Sequence, residues 1–239
     1  MWSICKKELK QFFSSLTGYL ALAVFLLLNG LFLFVFPESN LFDFGYATLD
    51  KFFELAPWIL LLLIPAITMR SFADEFKGGT YEILQTRPLT RTDLIVGKYL
   101  ASLIIVVIAI LPTLVYVYTI SLLSTGGIDT GGIAGAYIGL FLLAAVFTAI
   151  GICCSSLTSN AVVAFLLSAF ACFLVFSAFG AISGMPVFEK GSGYFIELLG
   201  IDAHYKSISR GVVDSRDLLY FASVIFFFLF LTARNLVKR

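Results

Sequence analysis

The chain has 239 residues, 60% hydrophobic and only 13% charged, with a formal net charge of +1. Soluble domains are about half apolar and about a quarter charged, so an ordinary soluble fold is excluded: it would leave large apolar patches facing water. The near-neutral total points to no nucleic-acid partner, and the solvent that suits such a chain is a bilayer, where one span needs ~20 apolar residues.

The first 16 residues predict an amphipathic helix. Trp2, Cys5, Leu9, Phe12 and Leu16 recur at spacings of three and four, with Ser3, Lys6, Lys7, Lys10 and Ser14 on other faces. Such a helix is expected to lie in the membrane interface. The apolar runs then predict six spans, at about 17–36, 52–69, 94–123, 132–155, 160–181 and 218–234. Residues 130–188 contain no charge, enough chain for two spans, and the polar run Ser155 to Asn160 divides them. The spans are expected to be helices, which satisfy every backbone polar group internally. A cleaved signal peptide fits the first run poorly, being too long and lacking an A-x-A-like site.

An even number of spans puts both termini on one side. That side carries 11 of the 16 basic residues, while the other carries ten of the 15 acids. The positive-inside rule makes the termini and the segment 70–93 cytoplasmic. The fold class is therefore an all-α integral membrane protein forming one transmembrane domain over 1–239, in a bacterial inner membrane.

Within the spans, Pro65 and Pro112 are candidate kinks, and Asn29 is a candidate for a hydrogen bond between helices. Gly131, Gly135 and Gly139 recur every four residues and predict close helix packing. No ionisable residue is expected deep in a span, which argues against an ion-coupled carrier. Cys5, Cys153, Cys154 and Cys172 form no C-x-x-C, so neither a disulfide frame nor a metal site is expected. The segment 182–217 contains "YFIELLGI", too apolar for a free loop and too short to span, and reads as an outer re-entrant piece. Its single histidine, His204, reads as a surface or interface residue.

The segment Arg70 to Lys98 holds nine of the chain's 31 charged residues. Ser71-x-x-Asp74 fits a helix start, Gly78-Gly79 a helix end, and Thr80 a cap for a short second helix with Glu82 in its first turn. Pro88 forces an elbow, and Thr90-x-x-Asp93 starts the next span. Phe72, Phe76, Tyr81, Ile83 and Leu84 give this segment apolar faces that need the membrane surface or a partner. Elsewhere no P-loop, H-E-x-x-H, G-x-S-x-G or Cys/His cluster occurs, so no catalytic site is expected and energy must enter from outside.

The stretch "RSFADEFKGGTYEILQTRPLTRTDLIVGKYLA" resembles the segment after span two of type-2 ABC exporter permeases, through Asp74/Glu75, Lys77, Gly79-Thr80, Glu82, Pro88 and Gly97-Lys98. "KKELKQFFSSLTGYL" and "HYKSISRGVVDSRDLLYF" fit the same family. The runs 31–72 and 136–160 are most similar to the permease of the gliding-motility ABC exporter of Bacteroidetes, with permeases of nitrous-oxide reductase maturation as the nearest rival subgroup. The resemblance implies a permease that is not itself an enzyme. ATP and Mg would be bound by a separate cytoplasmic ABC ATPase. A second permease copy or a related permease would complete the path, and an auxiliary membrane subunit with an outer domain would accompany it. It also implies an ATPase interface at Phe72, Asp74, Glu75, Phe76, Lys77, Gly78, Gly79, Thr80 and Glu82, with Phe72 and Phe76 as its apolar plug. An outer gate is implied at Phe195, Leu198 and Leu199. A non-transporting anchor that couples an ATPase to an envelope machine fits the same residues.

Overall fold

The computed structural model describes residues 1–36, 48–85 (83–85 as backbone only), 90–124, 127–185, 193, 197–212 and 214–237. Among these, helices are the only regular elements. In chain order they are α1 (Trp2–Phe13), α2 (Leu16–Phe34), α3 (Asp50–Thr68), α4 (Arg70–Lys77), α5 (Thr80–Gln85) and α6 (Arg91–Ile110). After a 3-10 turn at Leu111–Thr113 come α7 (Leu114–Leu123), α8 (Thr130–Ser155) and α9 (Ala161–Phe173). A π-helical turn at Leu174–Ala178 leads to α10 (Phe179–Ser183), followed by α11 (Ile201–Ser209) and α12 (Ser215–Val237).

Among the described residues, six stretches are long and apolar enough to cross a membrane: Leu16–Phe34, Asp50–Lys77, Arg91–Leu123, Thr130–Ser155, Ala161–Ser183 and Ser215–Val237. The all-helical, six-span reading of the sequence agrees with this. Several spans begin at a side-chain cap. Ser15 Oγ accepts from Gly18 N, Thr90 Oγ1 from Asp93 N, Asp129 Oδ1 from Gly132 N and Asn160 Oδ1 from Val162 N. Each takes up an N–H that the first helical turn leaves without a partner.

Helix α8 is the axis of the bundle. It packs against α3, α6, α9, α11 and α12, and 83% of its apolar window is buried, against 17–22% for the first, fifth and sixth spans. Its small residues explain this position, because Ala144, Ala145, Ala149 and Gly151 let neighbours approach closely.

Three local expectations are corrected. Ser71 does not start a helix: Met69 keeps helical dihedrals, and α3 runs almost without interruption into α4. The N–H groups of Phe72 and Ala73 are instead met by Ser155 Oγ at the end of α8, at 3.0 and 3.3 Å, while that hydroxyl donates to Met69 O. A distant serine thus replaces the local cap. Thr80 does not cap α5 either, because its hydroxyl donates back to Glu75 O. Asn29 donates to Phe25 O one turn earlier in its own helix rather than to another helix. Pro88 lies outside the described residues.

Candidate functional site

Helix α1, the last turn of α12, α4, α5 and the start of α6 gather at one end of the bundle, called here the terminal end. They close over a small core of Ile4, Phe72, Tyr81, Leu94, Ile95, Ile152 and Leu236, separate from the main one. Helix α1 lies across the start of α6 so closely that a Cβ on Gly97 would stand 2.9 Å from Met1 O and 3.0 Å from Ile4 Cβ.

Beside this core lies a knot of four charges. Lys98 is 1% exposed although it is an ammonium, and it sits roughly 10 Å along α6 by helical rise. Its Nζ lies 2.8 Å from Glu8 Oε1 and 2.9 Å from Glu75 Oε1, and it donates to Ser71 O. An ammonium has three N–H donors, and those three acceptors use them all. Lys7 lies 3.3 Å from the same Glu75 oxygen, so the four side chains sum to zero. Lys98 also stands 5.0 Å above the Phe72 ring. One side chain on the third span thereby ties the N-terminal helix and α4 together. The sequence suggested no interior charge in the spans, and Lys98 corrects that at this end. The buried charged residues among those described are Glu75, Lys98 and Asp217, and all three lie toward span ends.

The knot divides the segment 70–85 into a root and a bare face. Phe72 is fully buried, and Glu75 is 7% exposed and occupied by Lys98 and Lys7. Phe76 is half-buried, stacked on Phe72 and edge-on to Tyr81. The reading of Phe72 as a plug for another protein is thus corrected, because Phe72 is spent inside this chain; Phe76 packs on it but keeps part of its ring exposed. Glu75 likewise faces inward. Asp74, Lys77, Gly78, Gly79, Thr80 and Glu82 are exposed. Gly79 turns the chain between α4 and α5 with φ +65°, a conformation other residues adopt at a cost.

The opposite end is built differently. Gly135 and Gly139 receive α11: a Cβ on Gly135 would lie 2.7 Å from Gly211 Cα, and one on Gly139 3.2 Å from Ile208 Cγ2. Gly131 meets only its own cap, Asp129 Oδ1, at 3.5 Å. Pro57 sits inside α3 and has no N–H, so the carbonyl four residues back, Phe53 O, loses its helical partner. The Tyr205 hydroxyl on α11 donates to it at 2.6 Å, and burial pushes that phenol's pKa up. His204 joins the two pieces flanking it, with Nδ1 2.7 Å from Asp217 Oδ1, Nε2 2.9 Å from Leu198 O, and its ring stacked on Tyr220. Among the described residues no cluster could hold a metal ion. Leu198 and Leu199 are exposed, and the Leu199 carbonyl accepts from Tyr220. Phe195 lies outside the described residues. A cavity of about 600 Å³ opens beside α11, with Glu54, Trp58, Phe176, Tyr205 and Arg210 in its wall.

Residues 44–198 match the family model described as ABC-2 family transporter protein. The chain belongs to that family. The matched region runs from before the second span to beyond the end of the fifth, α4 and α5 included. No curated protein matches the chain. The protein is accordingly a multi-pass permease subunit of an ABC transporter, the membrane component and not the ATPase, and its family works with an ABC ATPase partner. From sequence, Lys98 entered only through the family resemblance and Ser155 only as part of the polar run between two spans, and Glu8 had no role. The signals were there, in a lysine embedded in "LIVGKYLAS" and one acid inside the basic run "KKELK".

Proposed function

We propose that this permease is the membrane-spanning subunit of an exporter in the bacterial inner membrane, driven by ATP and Mg bound in a separate cytoplasmic ATPase. The terminal end faces the cytoplasm, as the basic bias of its residues favours. The observation that carries the proposal is the two-sidedness of 70–85. One face is rooted by Phe72, Ser155 and the Lys98 knot, while Asp74, Lys77, Gly78, Gly79, Thr80 and Glu82 stand bare around a glycine turn. A rigidly rooted projection at the end of a bundle transmits a push, whereas a flexible loop would absorb it.

A second permease copy, or a related chain, pairs with this one to line the path. ATP binding draws the two ATPases together, α4 and α5 are displaced, and α3, continuous with α4, moves with them. The cavity beside α11 lies at the far end of α3, where cargo leaves past the carbonyl-anchored Leu198 and Leu199. The likeness of residues 31–72 and 136–160 to gliding permeases favours gliding motility as the process served, with an auxiliary subunit on the outer side.

The test is co-purification of the ATPase with Asp74→Lys/Glu82→Lys and with Glu75→Gln. The exposed double variant is expected to lose the ATPase while the permease stays folded. Glu75→Gln is expected to retain the ATPase but lower its permease-stimulated turnover. Full ATPase recovery with the double variant would refute the docking face. Cargo-independent ATP turnover, with no cargo movement in vesicles, would instead favour an anchor.

A further inference from the structure

At the terminal end a cleft of about 200 Å³ opens between the α1–α2 elbow and the second and third spans, away from the exposed face of α4 and α5. Its mouth is polar and includes Glu8, Gln11, Arg70, Ser71 and Ser102. One helical turn deeper it is apolar, walled by Ala21, Ile67 and Ile105. Three features of the mouth are unspent. Ser102 is 4% exposed, and its hydroxyl makes no hydrogen bond among the described residues. Ser71, 7% exposed, is in the same condition at its hydroxyl. Arg70 is exposed and joins no ion pair among the described residues. Glu8 gives only Oε1 to Lys98, so its second oxygen is not used by that pair.

Neither hydroxyl is sealed off: the enclosed side-chain atoms without partners among the described residues are Asn29 Oδ1, Glu75 Oε2, Ser168 Oγ and Asp217 Oδ2, so Ser71 and Ser102 can donate into the cleft they line. Water alone fits a polar hole, but this cleft is polar at the rim and apolar inside, at the depth where headgroups give way to acyl chains. A free anion would satisfy Arg70 and leave the apolar half empty. A guanidinium flanked by hydroxyls suits a phosphate, and a carboxylate suits an ammonium.

We propose that the cleft binds one phospholipid whose headgroup carries both a phosphate and a primary ammonium, of the phosphoethanolamine class. The phosphate is held by Arg70, Ser71 and Ser102, the ammonium by Glu8 and Gln11, and an acyl chain lies along Ala21, Ile67 and Ile105. The bound lipid braces α1 against the α3–α4 joint, next to the Lys98 knot. It makes the linkage between the membrane leaflet and α4 depend on lipid headgroup. This rests on the membrane placement of the chain and not on the ATPase docking face.

The experiment is native mass spectrometry of the delipidated full chain. Ethanolamine and glycerol phospholipids of identical acyl chains are supplied, and in parallel arms inorganic phosphate and soluble glycerophosphoethanolamine. The expected result is a single ethanolamine-lipid adduct that outlasts the glycerol lipid under collisional activation. Arg70→Gln and Ser102→Leu, the latter filling the cleft, are each expected to weaken it about tenfold. Leu122→Ala, exposed at the opposite end, is expected to leave it unchanged. If Arg70→Gln proves unstable, Ser102→Leu decides alone. Equal retention of both lipids, an adduct unaffected by the cleft variants, or inorganic phosphate competing as well as the lipid would each overturn the proposal. ATPase recovery is read separately on the same samples, so failure of the lipid site and failure of the docking face are distinguishable.

Discussion

The two ends of this bundle solve the same problem with opposite means. At the terminal end, elements far apart in sequence are held by charge: Lys98 reaches Glu8 across 90 positions and Ser71 across 27. At the opposite end, α11 is held by close contact on Gly135 and Gly139 and by neutral or short-range polar bonds, such as Tyr205 to Phe53 O. Buried ion pairs are costly to break but are defined by few atoms, so two helices that share one lysine shift together. Steric seating on glycines is spread over a surface and resists sliding. Under the proposed function, the difference suits an end that passes on a displacement and an end that holds a closed shape.

The largest effect is expected at Lys98. Lys98→Met leaves half-buried Glu8 without its ammonium and buried Glu75 with only the exposed Lys7, and is expected to destabilise the purified permease by about 3–5 kcal/mol in thermal unfolding. Adding Glu8→Gln and Glu75→Gln should restore most of that loss. A Lys98→Met protein as stable as the parent would show that the knot does not hold this end. Gly135→Ala is the counterpart at the other end, expected to cost about 1–3 kcal/mol because a Cβ must displace the Gly211 backbone. Gly131→Ala should be near neutral by the same measurement, and equal effects would remove the seating argument.

Tyr205→Phe is expected to cost about 1–2 kcal/mol, since it leaves the Phe53 carbonyl without a partner. This bond also has a pH signature. Burial raises the phenol's pKa in the folded chain, so its contribution is intact below the unfolded tyrosine value of about 10 and is lost as pH rises from there toward the folded value. The parent should therefore lose stability above about pH 10 more steeply than the phenylalanine variant. The smallest effect is expected at Gly79→Ala, about 1 kcal/mol for placing a side chain at φ +65°. Its check is whether ATPase recovery falls more than stability does, as a shape role for the turn requires.

Much of this was legible in the chain. The apolar runs are long enough to specify six spans, and the Thr90 and Gly79 signals act within a few residues of themselves, so local sequence reports them. Ser71 misled because its motif is local while its surroundings are not: Ser155, more than eighty residues away, supplies the hydroxyl that a cap would have given. Phe72 read as a docking residue because an aromatic in a polar loop needs cover, and nothing local says that Ile152 and Leu236 provide it. Gly135 and Gly139 were visible as packing residues, but their partner, α11, was not, since a small-residue face declares an approach without naming what approaches.

Composition and local periodicity were enough to place the chain in a membrane, to give the number of crossings, and to mark 70–93 as a polar break between two spans. Those properties depend on composition and on periodicity over one or a few helical turns. The tertiary structure alone decided which face of that segment is spent and which is free, and that one lysine binds two helices. It also decided that a tyrosine would answer the carbonyl left open by Pro57. These depend on pairs brought together across tens to more than a hundred residues. There a hydrogen bond or ion pair is worth having only because the bundle has already excluded water from both partners.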